Sequence, residues 1–192
     1  MFTIKENVIE KIEIKNSKFI TYLIKVNTIS DIKENLDKIK SIHNTANHHC
    51  YAYVLDNNEK CSDDKEPSGT AGLPMLNVLK NNNLNFILAI TVRYFGGIKL
   101  GSGGLSRAYT KSITSAIEKA TLINVELGKN ITITFPYEEI KTIDFLLKDE
   151  IILNKSFDNL VSYNLNTKDN ELLNKLNNIK DVKIKIEKEL YF

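Results

Sequence analysis

The sequence predicts an α+β fold in two units, a mixed first unit over residues 1–126 and a βαββαβ unit over residues 127–192. Three observations carry this. Hydrophobic spacing in the first unit switches between a period of two and one near 3.6, the mark of strands alternating with helices. A new strand-led pattern starts near Gly128. Within the first unit, seven of the chain's eight glycines, two of its three prolines and both arginines crowd into the window from Asp63 to Arg107.

The first elements are two β-rich runs, TIKENVIEKIEIK and KFITYLIKV, separated by Asn16-Ser17, a pair suited to a hairpin turn. From Thr28 the period changes. Ile29, Ile32, Leu36 and Ile39 follow helical spacing, and Thr28 with Asp31 has the form of a capping pair. HHCYAYVL reads as a strand and residues 56–70 as a polar loop. AGLPMLNVLKNN then reads as a helix that tolerates Pro74 in its first turn. Asn85 to Val92 is almost wholly apolar, as a strand buried on both faces must be. Leu105, Ala108, Tyr109, Ser112, Ile113, Ala116, Ile117 and Ala120 lay out one stripe of a long helix after the glycines.

The second unit reads as strand NITITFP, helix 137–148, strands 151–157 and 160–166, helix 168–178 and strand 182–190. That order is the split βαβ, ferredoxin-like arrangement, an antiparallel sheet with two helices on one face.

Composition bounds the chemistry. The net charge is +2, with 16 Lys and Arg against 13 Asp and Glu in residues 1–127 and 10 against 11 in residues 128–192, so an anion site belongs to the first unit. Two cysteines, Cys50 and Cys61, are too few for a disulfide framework and suit a reducing, cytoplasmic setting. The N-terminus carries dispersed charges, and the longest apolar run, Phe86 to Val92, is too short to span a bilayer, so neither secretion nor a membrane association is expected.

Function is expected in the glycine window. Gly101-Ser102-Gly103-Gly104 leads into a helix, which points free backbone N–H groups and the positive end of the helix dipole at one spot. Arg93, Tyr94, Gly96, Gly97, Lys99 and Arg107 complete the candidate binding set, the cations being suited to phosphate or carboxylate. The alternative is that the glycines only shape a tight connection and an arginine pairs with a structural carboxylate. The segment lacks the lysine of a Walker loop, and Ser106 stands where the third glycine of a dinucleotide fingerprint belongs.

A second loop, Asp63-Asp64-Lys65-Glu66-Pro67-Ser68-Gly69-Thr70, holds three carboxylates in four residues. Asp63, Asp64, Glu66 and Ser68 are expected to line a cleft opposite the basic loop, either holding a hard cation or neutralising Arg93, Lys99 and Arg107. The second is favoured, because no repeated ligand spacing supports a metal, and no cofactor is expected. His48 and Cys50 share a strand face, a candidate thiol and imidazole site, against the commoner outcome of a buried cysteine beside a hydrogen-bonded histidine.

SDDKEPSGTAGLP followed by RYFGGIKLGSGGLSRAY resembles the signature of the YigZ/IMPACT family, supported by Ser17-Lys18-Phe19 and by His48-His49-Cys50-Tyr51-Ala52-Tyr53. It departs at Lys65, where the family more often has glycine or another small or acidic residue. The resemblance implies a first domain with the βαβ layering of the ribosomal protein S-five domain-two-like fold, shared with small-molecule kinases, and a second resembling the last domain of elongation factor G. It also implies a noncatalytic regulator of translation, ribosome-associated and linked to starvation stress, with RNA, the ribosome or a translation factor as partner. The alternative is an enzyme acting on a small phosphorylated or carboxylated substrate at the same loop.

Overall fold

Lys15 and Asn16 both adopt left-handed backbone, φ +47° and +61°, and close a two-residue turn between β2 (Val8–Ile14) and β3 (Ser17–Lys25). Positive φ at both central residues matches the right-handed twist of the flanking strands. The turn therefore sits one residue earlier than the Asn16-Ser17 reading, and Ser17 becomes a buried strand residue. The structure, a computed structural model, describes residues 1–192 and divides into two compact units, Met1–Asn124 and Val125–Phe192.

In the first unit, β1 (Phe2–Ile4) pairs with β7 (Leu122–Asn124) apart from the main sheet. The main sheet has five antiparallel strands in the order β2-β3-β6-β4-β5, with β4 at His48–Leu55, β5 at Asn58–Ser62 and β6 at Ile87–Tyr94. Helix α1 (Ile29–Ile42) opens with Thr28 and Asp31 capping each other's backbone, as their spacing predicts. It covers one face of the sheet through Ile32 and Ile39, which pack with Leu88, Ile90 and Val92. On the other face, α2 (Gly72–Asn81) and α3 (Ser102–Lys119) pack against Phe19, Leu23, Cys50, Ala52, Ile87 and Ala89.

This sandwich explains the unbroken apolar run of β6. Its even residues face α1 and its odd residues face α2 and α3, so both sides of the strand are dry although every neighbour is antiparallel. Tyr109 fills the centre of the α3 side, edge-on to Phe19 at 5.3 Å and fully buried. Burial of a side chain of this kind contributes roughly 1.5–3 kcal/mol. The run also hides one polar cluster: the Thr21 hydroxyl hydrogen-bonds to the hydroxyls of both Thr91 and Ser112 between the sheet and α3.

Residues 56–70 are not all loop. Asn58–Ser62 forms β5, which pairs with β4 across a two-residue turn at Asp56. Its NEKCS sequence has no apolar alternation because it is an edge strand with its charges in water.

The second unit follows the order read from the sequence: β8 (Leu127–Phe135), a 3-10 turn (Tyr137–Glu139) leading into α4 (Ile140–Leu146), β9 (Ile152–Phe157), β10 (Val161–Thr167), α5 (Asn170–Asn177) and β11 (Lys183–Tyr191). The antiparallel sheet runs β11-β8-β10-β9. Ile131, Ile133, Phe135, Tyr163 and Leu165 pack with Ile143 of α4 and with Leu172 and Leu176 of α5. The opposite sheet face is polar, with Asn130, Asn164 and Asn166 hydrogen-bonded side chain to side chain. No helix in either unit is long and apolar enough to cross a membrane.

Candidate functional site

Arg93 is the last odd residue of β6, so its guanidinium points to the α2/α3 side of the sheet at the edge of the core. Its side chain is 6% exposed and lies between the rings of Phe19 and Phe95, 5.5 and 5.6 Å from their centroids. One terminal nitrogen donates to Glu66 Oε1 at 2.7 Å, and the other donates to Ser17 Oγ at 3.4 Å. Tyr109 donates its hydroxyl proton to the same Glu66 oxygen at 2.8 Å, and His48 Nε2 stands 3.8 Å from it. Burial and the neighbouring Cys50 and Glu66 push the Tyr109 phenol well above its ordinary range, which keeps it a donor.

Arg93 Nε has no hydrogen-bond partner despite being buried. An unmade hydrogen bond of this kind costs about 1–3 kcal/mol. The residue lines a cleft of about 470 Å³ together with His48, Glu66, Phe95, Lys99 and the start of α3 at Gly101 and Ser102. That volume falls in the range of small-ligand sites, roughly 300–1,000 Å³.

Two glycines build the loop that delivers these groups. A Cβ on Gly96 would lie 2.0 Å from the carbonyl carbon of Asn16, so only glycine lets this loop press against the β2–β3 turn. There Gly96 N–H donates to Ser17 Oγ at 3.2 Å. Gly101 precedes α3 with φ +71° and offers no capping side chain. Leu105 N–H is the first to reach back, to the Gly101 carbonyl, which leaves Ser102, Gly103 and Gly104 without intrahelical acceptors.

The acidic loop divides differently from its expected role. Only Glu66 of its carboxylates lines the cleft; Asp63 and Asp64 turn inward to the backbone and Ser68 is exposed outside it. Asp63 accepts from the Gly69, Ala71 and Gly72 N–H groups at 2.8–2.9 Å, capping the N-terminus of α2 from a distance in sequence. Burial raises its pKa, but those three bonds outweigh it and the net shift is downward. Asp64 accepts from His49 N–H at 2.6 Å. Backbone amides, which sequence patterns do not display, consume both charges.

The basic candidates also separate. Arg93, Lys99, Gly101 and Ser102 meet at the cleft. Arg107 is exposed, its guanidinium folded back towards Gly103 in the first turn of α3. Tyr94 lies on the α1 side of the sheet, where its hydroxyl bonds to His43 Nδ1 at 2.9 Å. Gly97 is exposed with φ +85°.

His48 and Cys50 share a face without forming a thiol–imidazole pair. His48 Nδ1 donates to the Asp64 carbonyl at 2.8 Å, and Cys50 Sγ donates to the Asp63 carbonyl at 3.0 Å and lies 3.3 Å from the Tyr109 hydroxyl. Burial pushes the Cys50 thiol far above its ordinary pKa, so it is a packed, protonated side chain. No group of three or more His, Cys, Asp or Glu side chains is arranged to hold a metal ion.

Three contributors escape a reading by residue type. Tyr109 looks like one more core position of a helix, Ser17 like a turn residue, and Phe95 like a loop aromatic. The one signal was Tyr109's hydroxyl on a stripe that is apolar apart from it and Ser112.

Residues 15–117, which include every residue of the cleft, match the Impact N-terminal domain. The chain belongs to the IMPACT family. It is similar to the IMPACT family member YvyE of Bacillus subtilis (strain 168), 42% identical over 158 residues that span 77% of this chain and 73% of the relative. It is also similar to the IMPACT family member YigZ of Escherichia coli (strain K12), 37% identical over 140 residues, 70% of this chain and 69% of that one. Among solved structures, a crystal structure of a hypothetical protein superposes with a TM-score of 0.71 at 30% identity, covering 97% of both chains. The two-unit α+β fold is thus a fold this IMPACT family chain shares along nearly its full length.

Proposed function

We propose that the chain is a noncatalytic, cytoplasmic regulator associated with translation, and that it binds RNA phosphate at the first turn of α3. Membership of the IMPACT family supports the translation role, through the starvation regulators that the family resemblance implies. One observation supports the binding mode. Near the free N–H groups of Ser102, Gly103 and Gly104 lie Lys99, which lines the same cleft as Ser102, and Arg107, folded towards Gly103, both exposed and neither in an ion pair. A helix N-terminus flanked by two solvent-facing cations binds phosphate without reading bases. Arg93 has a different part: its charge is neutralised by Glu66, so it shapes the site and supplies no net attraction.

Such binding weakens as salt rises, because each phosphate contact releases counterions. Filter binding of structured RNA and of ribosomes at two salt concentrations tests it, comparing the natural chain with Lys99→Ala and Arg107→Ala. Each substitution is expected to weaken binding for all sequences and to lower the salt slope by about one. Unchanged binding in both variants would refute the site.

A further inference from the structure

We propose that the cleft beside the first turn of α3 is a pocket for a phosphomonoester, the terminal phosphate of a single nucleotide unit. This rests on the RNA reading above and narrows it to a strand end or a free mononucleotide. Arg93, whose buried Nε–H has no partner, lines the same cleft as Lys99 and the start of α3. A helix N-terminus and an ammonium lining one cleft, with an arginine beside them whose third donor is unused, suit the several oxygens of one phosphate group.

Charge argues for an end over an internal diester. A phosphodiester strand needs cations repeated along a groove. Here the cleft includes Glu66 and Pro67, which offer nothing to a second phosphate. Glu66 also cancels the charge of Arg93, leaving its N–H as a directional donor and Lys99 as the net positive group. The aromatic ring of Phe95, 45% exposed and lining the same cleft, gives a base a surface to stack on. The cleft of about 470 Å³ is large enough for one nucleotide unit.

The test compares a short RNA bearing a 5′-phosphate with the same RNA bearing a 5′-hydroxyl, and runs adenosine monophosphate in parallel by calorimetry. Lys99→Ala removes the ammonium. Ser102→Pro removes one N–H at the first helical position, where proline is accommodated, and Gly101 before it already has the extended ψ of 165° that proline requires. The thermal midpoint of both variants should match the natural chain, which separates a lost donor from a lost fold. A preference of tenfold or more for the 5′-phosphate, reduced to near parity in both variants while the 5′-hydroxyl RNA loses much less, supports a strand end. Saturable binding of the mononucleotide, lost in the same variants, supports the pocket with a free nucleotide as its occupant. Equal affinity for both RNAs together with no binding of the mononucleotide overturns the pocket. In that case, retained RNA binding leaves the broader reading standing, and absent RNA binding removes both.

Discussion

Arg93 and Glu66 meet at 2.7 Å with side chains 6% and 3% exposed, at the place where the end of β6 reaches the loop before α2. The pair joins two segments 27 residues apart and aligns one wall of the cleft. Breaking it from the acidic side strands a buried guanidinium. Glu66→Ala is therefore expected to cost about 3–5 kcal/mol, and Glu66→Gln, which keeps an acceptor for Arg93 and Tyr109, distinctly less. Urea unfolding of the two variants measures this, and equal losses would show that an uncharged acceptor contributes nothing and that the pair rests on the carboxylate charge alone.

Gly96 and Gly101 differ in kind. Gly96→Ala drives a Cβ into the backbone of Asn16 and Ser17, so a cost of about 2–3 kcal/mol is expected, with the loop displaced. Gly101→Ala meets nothing within 4 Å and is strained only by its backbone, φ +71° with ψ 165°, a region almost confined to glycine, at about 1–3 kcal/mol. Denaturant midpoints of both variants should rank in that order.

Asp63 makes stability depend on acid pH. Its folded pKa lies below the unfolded value of about 3.9, so the contribution is fully present above that value and is lost as pH falls through the folded pKa. Asp63→Ala should lower stability at neutral pH by about 1–2 kcal/mol, the usual cost of losing a helix cap, and flatten the acid limb of the stability profile. A variant that keeps the natural acid limb would assign that limb to other carboxylates.

Lys65 holds φ +69° and is exposed. That is a backbone conformation that glycine adopts without strain. Lys65→Gly removes the left-handed strain at the expense of a more flexible unfolded chain, and a net gain of about 0.5–1 kcal/mol is expected by thermal or urea unfolding.

Much of this was legible in the chain before folding. The Thr28–Asp31 cap, the buried stripe of α3 from Leu105 to Ile117 and the βαββαβ order of the second unit are local patterns with one physical reading each. The edge strand β5 was not legible, because a polar strand whose only role is to pair shows no periodicity. Nor was the split of the acidic loop. Asp63, Asp64 and Glu66 look alike in sequence, and only Glu66 finds a guanidinium while the other two find backbone amides.

The sequence by itself determined that the window between Asp63 and Arg107 would be shaped backbone, because seven of the eight glycines are concentrated there, and Gly69, Gly97 and Gly101 take positive φ while Gly96 allows a close approach. Tertiary structure alone decided which arginine is spent and which is free. Arg93 and Arg107 are the same side chain 14 residues apart, yet one ends a central strand and is buried against Glu66 while the other starts a helix in water. Desolvation makes that difference. A buried guanidinium must be paired where the fold places it, whereas an exposed one keeps its charge for a partner.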